Sequence, residues 1–425
     1  MKIIHAADLH LDSPLRNLER YESAPVEIVR GATRRALENL VELAIREQVA
    51  LILISGDLYD SDWRDYNTGL FFHRQMSKLR EANIQVVWLA GNHDAANEIT
   101  KTMRAIEQLP NVHRLADKFP QTLRLSLRGL DVAVHGQGFL NRTVTDNLAA
   151  NYPIAIPGLF NIGLLHTSLE GKSGHDHYAP CKLSDLLSKN YHYFALGHVH
   201  KQEIISREPW IAFAGNIQGR HIGETGAKGC LLLTLDNDQI TEVAPIYLDT
   251  IRWRRCLVNV TGATDEDAIF EAAITALRSN DNANWEHPEA IRVEIFGECA
   301  IHANLHQQPT RWINELRAHA ADISNGRIWL EKIYFHTQGT FDIGQNLGMG
   351  ENSLESFLQS LHPSDPIIKR LEKECVTLAA KLPNELKDST WLRVSEPQIF
   401  ATLLDDIKHM ITANVSINLS EQKIL

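Results

Sequence analysis

Five short apolar runs in this chain each lead into a side chain that can hold a metal ion. Lys2–Ala6 leads to Asp8 and His10. Val49–Ser55 leads to Gly56 and Asp57. Ile84–Ala90 leads to Gly91, Asn92, His93 and Asp94. Phe160–Leu165 leads to His166, and Tyr191–Leu196 leads to Gly197, His198, Val199 and His200. Buried strands read as short continuous apolar runs. In open α/β sheets, ligand sites gather beyond the carboxyl ends of strands. A fold of that kind brings Asp8, His10, Asp57, Asn92, His166, His198 and His200 into one small volume.

Those residue types suit a centre that cleaves phosphoesters with two metals. A phosphodiester is an anion and repels a nucleophile. Two neighbouring cations neutralise its oxygens and lower the pKa of a bound water. One carboxylate must then bridge them. Asp57 is the best placed, because Gly56 lets the chain turn sharply just before it. Asp8/His10 and His198/His200 share an i, i+2 spacing, which in extended chain aims both members of a pair the same way. Asn92 adds an oxygen ligand without further charge. Mixed imidazole and carboxylate ligation favours Mn, Fe, Zn or Ni over Mg or Ca. Taken singly, each motif is common; the five in this order carry the argument.

The series D-x-H, G-D, G-N-H-D, H and G-H-x-H resembles that of the calcineurin-like metallophosphoesterase superfamily over about the first 250 residues. The resemblance implies two divalent metal ions, with Mn2+ the expected pair. One would be held by Asp8, His10, Asp57 and His200, the other by Asp57, Asn92, His166 and His198. It also implies that His93 contacts the scissile phosphate and protonates the leaving oxygen, with Asp94 orienting it. Within the superfamily the chain is similar to SbcD-type DNA-repair exonucleases, and most of all to the bacterial YhaO group. The strings that carry this are Ile4–Leu15 (IHAADLHLDSPL), Tyr178–Cys181 (YAPC), and Ala214–His221 (AGNIQGRH) followed by Glu224-Thr225-Gly226. Many relatives carry a His three residues after the bridging Asp, whereas this chain has Asp60, so no role in DNA handling carries over to that position.

The chain has 425 residues, enough for two or three domains, and 44% hydrophobic with 22% charged residues is ordinary globular composition. Its five cysteines are scattered and lack C-x-x-C spacing, which predicts reduced thiols and a cytoplasmic location. No signal peptide or membrane span is expected. The net charge of −11 argues against general coating of DNA. Local cations that can offset it are Arg30, Arg34, Arg35, Lys172, Arg220, and Arg252, Arg254 and Arg255 around Trp253. For any one of them the favoured reading is a solvated charge.

The predicted fold class is α/β: a two-sheet sandwich flanked by helices over residues 1–250, the fold that the resemblance also implies. Helices are expected over 25–48 and 65–82, the first with a stripe of Ile28, Ala32, Leu37, Leu40, Val41, Leu43, Ala44 and Ile45. Hairpins are expected at Thr122–Leu127 with Asp131–Gly136, Glu203–Ser206 with Trp210–Ala214, and Cys230–Leu235 with Ile240–Leu248. Residues 251–337 read as a small β-α-β-α-β capping domain with strands Leu257–Val260, Ile291–Phe296 and Ile328–Phe335. Its helices are Asp265–Arg278 and Thr310–Ala321. Residues 338–425 read as a linker and a helical, partner-binding region. His175 and Asp176 in a Gly- and His-rich loop, with Arg220 and His221, are candidate substrate contacts.

The leading functional expectation is a metal-dependent DNA exonuclease or endonuclease subunit. The resemblance implies DNA and an SbcC-like coiled-coil ATPase of the YhaN type as partners, and is compatible with a homodimer. Two alternatives remain open: a nucleotide or cyclic-nucleotide phosphoesterase on the same core, and a non-catalytic scaffold. Loss of ligands would mark a scaffold, and here all seven positions are filled.

Overall fold

The computed structural model describes residues 1–13, 26–60, 65–97, 99–100, 106, 108–169, 178–279 and 287–339, with 373, 377 and 402. Strands β1 (Lys2–Ala6), β2 (Leu51–Ile54), β3 (Gln85–Trp88) and β4 (Val112–Arg114) pair in parallel in that order. Helix α1 (Val26–Arg46) connects β1 to β2, and α2 (Tyr66–Glu81) connects β2 to β3. The one-turn helix α3 (Asn92–Ala96) follows β3. Strand β2 is Leu-Ile-Leu-Ile with every residue buried, as a strand covered on both faces requires. Helix α2 starts where the Asp65 side chain caps the Asn67 N–H at 2.9 Å. Helix α1 buries Ala32, Ala36, Leu37, Leu40, Val41, Leu43 and Ala44. Ile28 and Ile45, expected in that stripe, fall outside the buried face and are 47% and 42% exposed.

A second sheet follows: β5 (Gln121–Leu127), β6 (Leu130–Gly136), β7 (Phe160–His166), β8 (Tyr193–Gly197), β9 (Glu203–Arg207) and β10 (Trp210–Phe213). Its order is β5-β6-β7-β8-β10-β9, parallel through the middle with antiparallel edges. A short helix α4 (Leu183–Leu187) precedes β8. Strands β11 (Gly229–Asp236) and β12 (Gln239–Tyr247) return to the first sheet, giving it the order β12-β11-β1-β2-β3-β4. All three expected hairpins form. The inner faces meet in one core, with Ile3, Leu51, Leu53 and Val87 from one sheet and Val134, Ile162, Leu164 and Ala195 from the other. The carboxyl ends of β1, β2 and β3 in the first sheet, and of β7 and β8 in the second, are where the ligand-type residues emerge.

Beyond these, β13 (Arg252–Asn259), α5 (Glu266–Arg278), β14 (Glu289–Cys299), α6 (His302–Gln307), α7 (Pro309–Ser324) and β15 (Ile328–Gly339) form a third sheet in the order β13-β14-β15 with its helices. Asp265 caps α5, accepting from the Ala268 N–H at 2.9 Å, and Ile269, Ala273 and Leu277 bury its inner face. The described residues fall into two compact units. One is drawn from Met1–Arg255, Asn284–Arg292 and Ser324–Lys332, the other from Cys256–Ala283, Val293–Ile323 and Ile333–Leu425. The chain thus alternates between units. Strand β15 runs to Gly339, past the expected start of the linker at residue 338. The helical stripes expected after residue 353 lie outside the described residues. Cys181, Cys230, Cys256 and Cys299 are buried. Among the described residues, no helix is long and apolar enough to cross a membrane.

Candidate metal centre

The site begins where strands stop. After β1, the chain runs beside the loop that follows β2. The N–H groups of Asp8, His10 and Leu11 donate to the carbonyls of Gly56, Asp57 and Leu58, each at 3.0 Å. Asp8, His10 and Asp57 adopt φ of 51, 42 and 52°, and His198 adopts 94°. Left-handed backbone costs a non-glycine residue on the order of 1–3 kcal/mol and persists where its surroundings over-determine it. This corrects the extended-chain explanation of the i, i+2 pairs. Tight turns, not strand alternation, aim Asp8, His10 and His198. Gly56, at φ 92°, and Gly91 provide room. A Cβ on Gly56 would strike Nδ1 of His166, and one on Gly91 would strike Oδ1 of Asp57.

The seven side chains then converge. His166 Nδ1 lies 2.9 Å from the Ser55 carbonyl, which fixes its proton there and turns Nε2 inward. That Nε2 is 2.9 Å from Asn92 Oδ1 and 3.5 Å from Asp57 Oδ2. Asp8 accepts the His198 N–H on both oxygens at 3.1 Å. Asp8 Oδ1 stands 4.0 Å from both His166 Nδ1 and His200 Nε2. His10 Nε2 faces His200 Nε2 at 3.3 Å and Asp57 Oδ2 at 3.8 Å. The ring of His198 packs edge-on against His166, with centroids 5.2 Å apart. Three groups, Asp8–His10–His200, Asp8–Asp57–His166 and His10–Asp60–His93, each present one donor atom per residue within 4.8 Å of one another.

The electrostatics fit a cation. Burial and the nearby Asp57 carboxylate push Asp8 well above the usual carboxylate range. Burial pulls His10, His166 and His200 below the ordinary imidazole value, which leaves them neutral, as metal ligands must be. The buried Nδ1 of His10 has no hydrogen-bond partner. A buried polar atom in that state calls for an ion or a water. The donor set therefore fits divalent metal.

His93 stands beside this cluster, its ring edge-on to His10 with centroids 4.8 Å apart. Its N–H donates to Asp57 Oδ1 at 2.9 Å. The carboxylate on its imidazole is Asp60, with Oδ1 2.8 Å from Nδ1. Burial opposes a charge on His93, but the Asp60 bond and the Asp57 charge outweigh it and raise its pKa. Asp94, expected to orient His93, does something else. Its carboxylate accepts the N–H groups of Leu58, Tyr59 and Gly91 at 3.0, 2.9 and 3.1 Å, tying the loop after β2 to the start of α3. Consecutive residues on a helix do not share a face, so Asp94 points away from its neighbour. Burial, then Asp57, pushes its carboxyl up to about 7.

The expected substrate contacts divide. His175 and Asp176 lie outside the described residues. His221 is on the rim, its side chain 63% exposed. Arg220 is partly buried, with Nη2 2.9 Å from Glu224 Oε1 and Nη1 3.6 Å from Asp60 Oδ2. Other cations proposed to offset the net charge also hold carboxylates: Arg34 holds Asp12, Arg35 holds Glu38, Arg252 holds Asp249, and Arg254 holds Glu289. Lys172 lies outside the described residues. Sequence reasoning gave no role to Glu224, whose Oε1 is 2.7 Å from His200 Nδ1 and so turns His200 Nε2 toward the centre. Its only signal was its place in the Ala214–Gly226 string.

Residues 1–202 match the calcineurin-like phosphoesterase family, and residues 253–338 match the middle domain of metallophosphoesterase YhaO. The uncharacterized metallophosphoesterase YhaO of Bacillus subtilis (strain 168) is 35% identical over 273 residues, covering 64% of this chain and 66% of that protein. The DNA double-strand break repair protein Mre11 of Sulfolobus acidocaldarius is 24% identical over 315 residues, 72% of this chain and 77% of that protein. Its namesake in Sulfurisphaera tokodaii is 23% identical over 327 residues, 74% and 78% of the two chains.

Proposed function

This chain belongs to the calcineurin-like phosphoesterase family, and from that premise we propose that it is a two-metal phosphodiesterase that cuts DNA. The observation that carries the reading is the convergence of carboxylate, imidazole and amide donors from five strand ends. Asp8, His10, Asp57 and His200 would hold one cation, and Asp57, Asn92, His166 and His198 the other. When bound, the pair supplies charge neutralisation of the phosphate and a water of lowered pKa; Mn2+ suits the donor set. The chain's own residues do the rest. Asp60 and the Asp57 contact keep His93 fixed at the edge of the cluster, with Nδ1 engaged by Asp60. From there Nε2 donates a proton to the leaving oxygen. Ser55 and Glu224 hold the protons of His166 and His200 away from the centre.

DNA as the substrate draws support from the two Mre11 relatives, whose names place them in double-strand break repair. An SbcC-like ATPase partner, docked on residues after 353, extends the same reading from the sequence resemblance. The test is hydrolysis with Mn2+ of end-labelled single- and double-stranded DNA, bis(4-nitrophenyl) phosphate and a cyclic nucleotide. Cleavage of DNA with loss of activity in Asp57→Asn is the expected result. Cyclic-nucleotide turnover with DNA left intact would refute the DNA reading. Failure on every substrate by metal-loaded protein would refute phosphodiesterase activity itself.

A further inference from the structure

We propose that Arg220 is a positioning residue whose single guanidinium sets the spacing between the metal-holding edge of the site and the histidine that meets the phosphate. The inference rests on the two-metal reading above. Arg220 stands between two carboxylates, and each of those carboxylates holds the Nδ1 of a site histidine. On one side, Nη2 reaches Glu224 Oε1 at 2.9 Å, the backbone N–H reaches Glu224 Oε2 at 2.8 Å, and Glu224 Oε1 is 2.7 Å from His200 Nδ1. On the other, Nη1 is 3.6 Å from Asp60 Oδ2, and Asp60 Oδ1 is 2.8 Å from His93 Nδ1. The result is one chain of contacts: His93, Asp60, Arg220, Glu224, His200.

Several features argue against a general structural ion pair. One carboxylate would satisfy a partly buried arginine, yet this one is shared between two. Each carboxylate is also tied elsewhere, Asp60 by the Ser13 hydroxyl at 2.6 Å and Glu224 by the Asn216 amide at 3.0 Å, so the guanidinium sits in a fixed frame. The segment that carries Arg220 is pinned as well. Trp253 Nε1 donates to the Gly219 carbonyl at 3.0 Å, and Gln218 Nε2 donates to the Ile251 carbonyl at 2.7 Å. Arg220 is not placed as a mobile grip on substrate, because its side chain is only 13% exposed and its fork is directed at the protein's own carboxylates. A planar fork suits this bridging task and an ammonium does not.

Mn2+ binding to metal-stripped full-length protein, measured by calorimetry, tests this without any reaction. Wild type is expected to take up two Mn2+. Arg220→Gln and Arg220→Lys should each weaken at least one site by about tenfold, the lower end for residues that orient metal ligands. Glu224→Gln should do the same, and the double variant Arg220→Gln/Glu224→Gln should be no weaker than the worse single, because both act through His200. With an end-labelled oligonucleotide at saturating Mn2+, whose leaving oxygen needs the His93 proton, kcat should fall in both arginine variants while KM holds. Where Arg220→Gln fails to melt cooperatively, Arg220→Lys carries the comparison. Unchanged Mn2+ affinity with a raised KM would overturn the proposal and make Arg220 a substrate grip. Additive losses in the double variant would overturn it too. Wild type that binds no Mn2+ would instead remove the two-metal reading, a failure that is distinguishable from the other two.

Discussion

Asp60→Asn gives the sharpest test of how His93 works. The substitution keeps the shape of the side chain and its capacity to accept from Ser13, but removes the charge that faces His93 Nδ1 at 2.8 Å. A hydrogen bond involving charge is worth about 1.5–3 kcal/mol. At about 1.4 kcal/mol per tenfold, losing it costs roughly ten- to 150-fold in kcat when proton donation limits the rate. Removing the imidazole itself, in His93→Ala, should cost about 10²–10⁴-fold, and Asp60→Asn/His93→Ala should be no slower than His93→Ala alone. The assay compares two leaving groups. A nitrophenolate departs without a proton, so bis(4-nitrophenyl) phosphate should be nearly indifferent to Asp60→Asn. An oligonucleotide, whose sugar oxygen needs the proton, should show the full loss. Mn2+ content should stay at the wild-type level in both single variants. Equal loss on the two substrates, or metal loss in His93→Ala, would refute the acid role.

Three further outcomes are expected. Asp57→Asn should weaken both metal sites together, so elemental analysis that still finds two tightly held metals would remove Asp57 as the bridge. Gly31→Ala, at a position in α1 where a Cβ meets nothing within 4 Å, should stabilise the protein by about 0.5–1 kcal/mol, read as a raised melting temperature. Burial pushes His5 down to about 3, between the Tyr193 hydroxyl and the Ser55 hydroxyl. The unfolded chain then binds the extra proton from about pH 6.5, and stability falls with acid by about 1.4 kcal/mol per pH unit down to the folded value. Denaturant melts of His5→Asn against wild type at pH 6.5 and 4.5 should show a shallower acid loss in the variant, and parallel losses would contradict the assignment.

The fold was legible where burial is two-sided. Leu51–Ile54 and Phe160–His166 are buried at every residue, and such strands announce themselves as apolar runs. The reading ran a residue or two long at each end of Val49–Ser55 and Ile84–Ala90, because the flanking residues are as buried as the strands they extend. Strand β13 was expected from Leu257 and begins at Arg252. Its first residues are arginines that alternate with the buried Trp253, and their partners Asp249 and Glu289 lie outside the strand. Strand β4 escaped notice because it is three residues long and only Val112 is buried.

The site divides along a different line. The candidate ligands were readable because each sits within a few residues of a strand end, so a local pattern implies a place in space. The residues that hold those ligands were not. Asp60, in a loop, meets His93 in α3 across 33 positions, and Glu224 meets His200 from loop to loop across 24. Contact between loops has no period and no composition of its own. Proximity in sequence even misled, since Asp94 is next to His93 yet serves the backbone of another loop. Backbone strain shows why that supporting layer must exist. Asp8, His10, Asp57 and His198 all hold left-handed φ, and nothing local to those residues rewards it. Asp94 on the turn after β2, and Asp8 on the His198 N–H, supply the hydrogen bonds that fix these turns. The chain can present seven candidate donors at one point because further carboxylates hold them still: Asp94 on the turn after β2, Asp60 on His93 and Glu224 on His200.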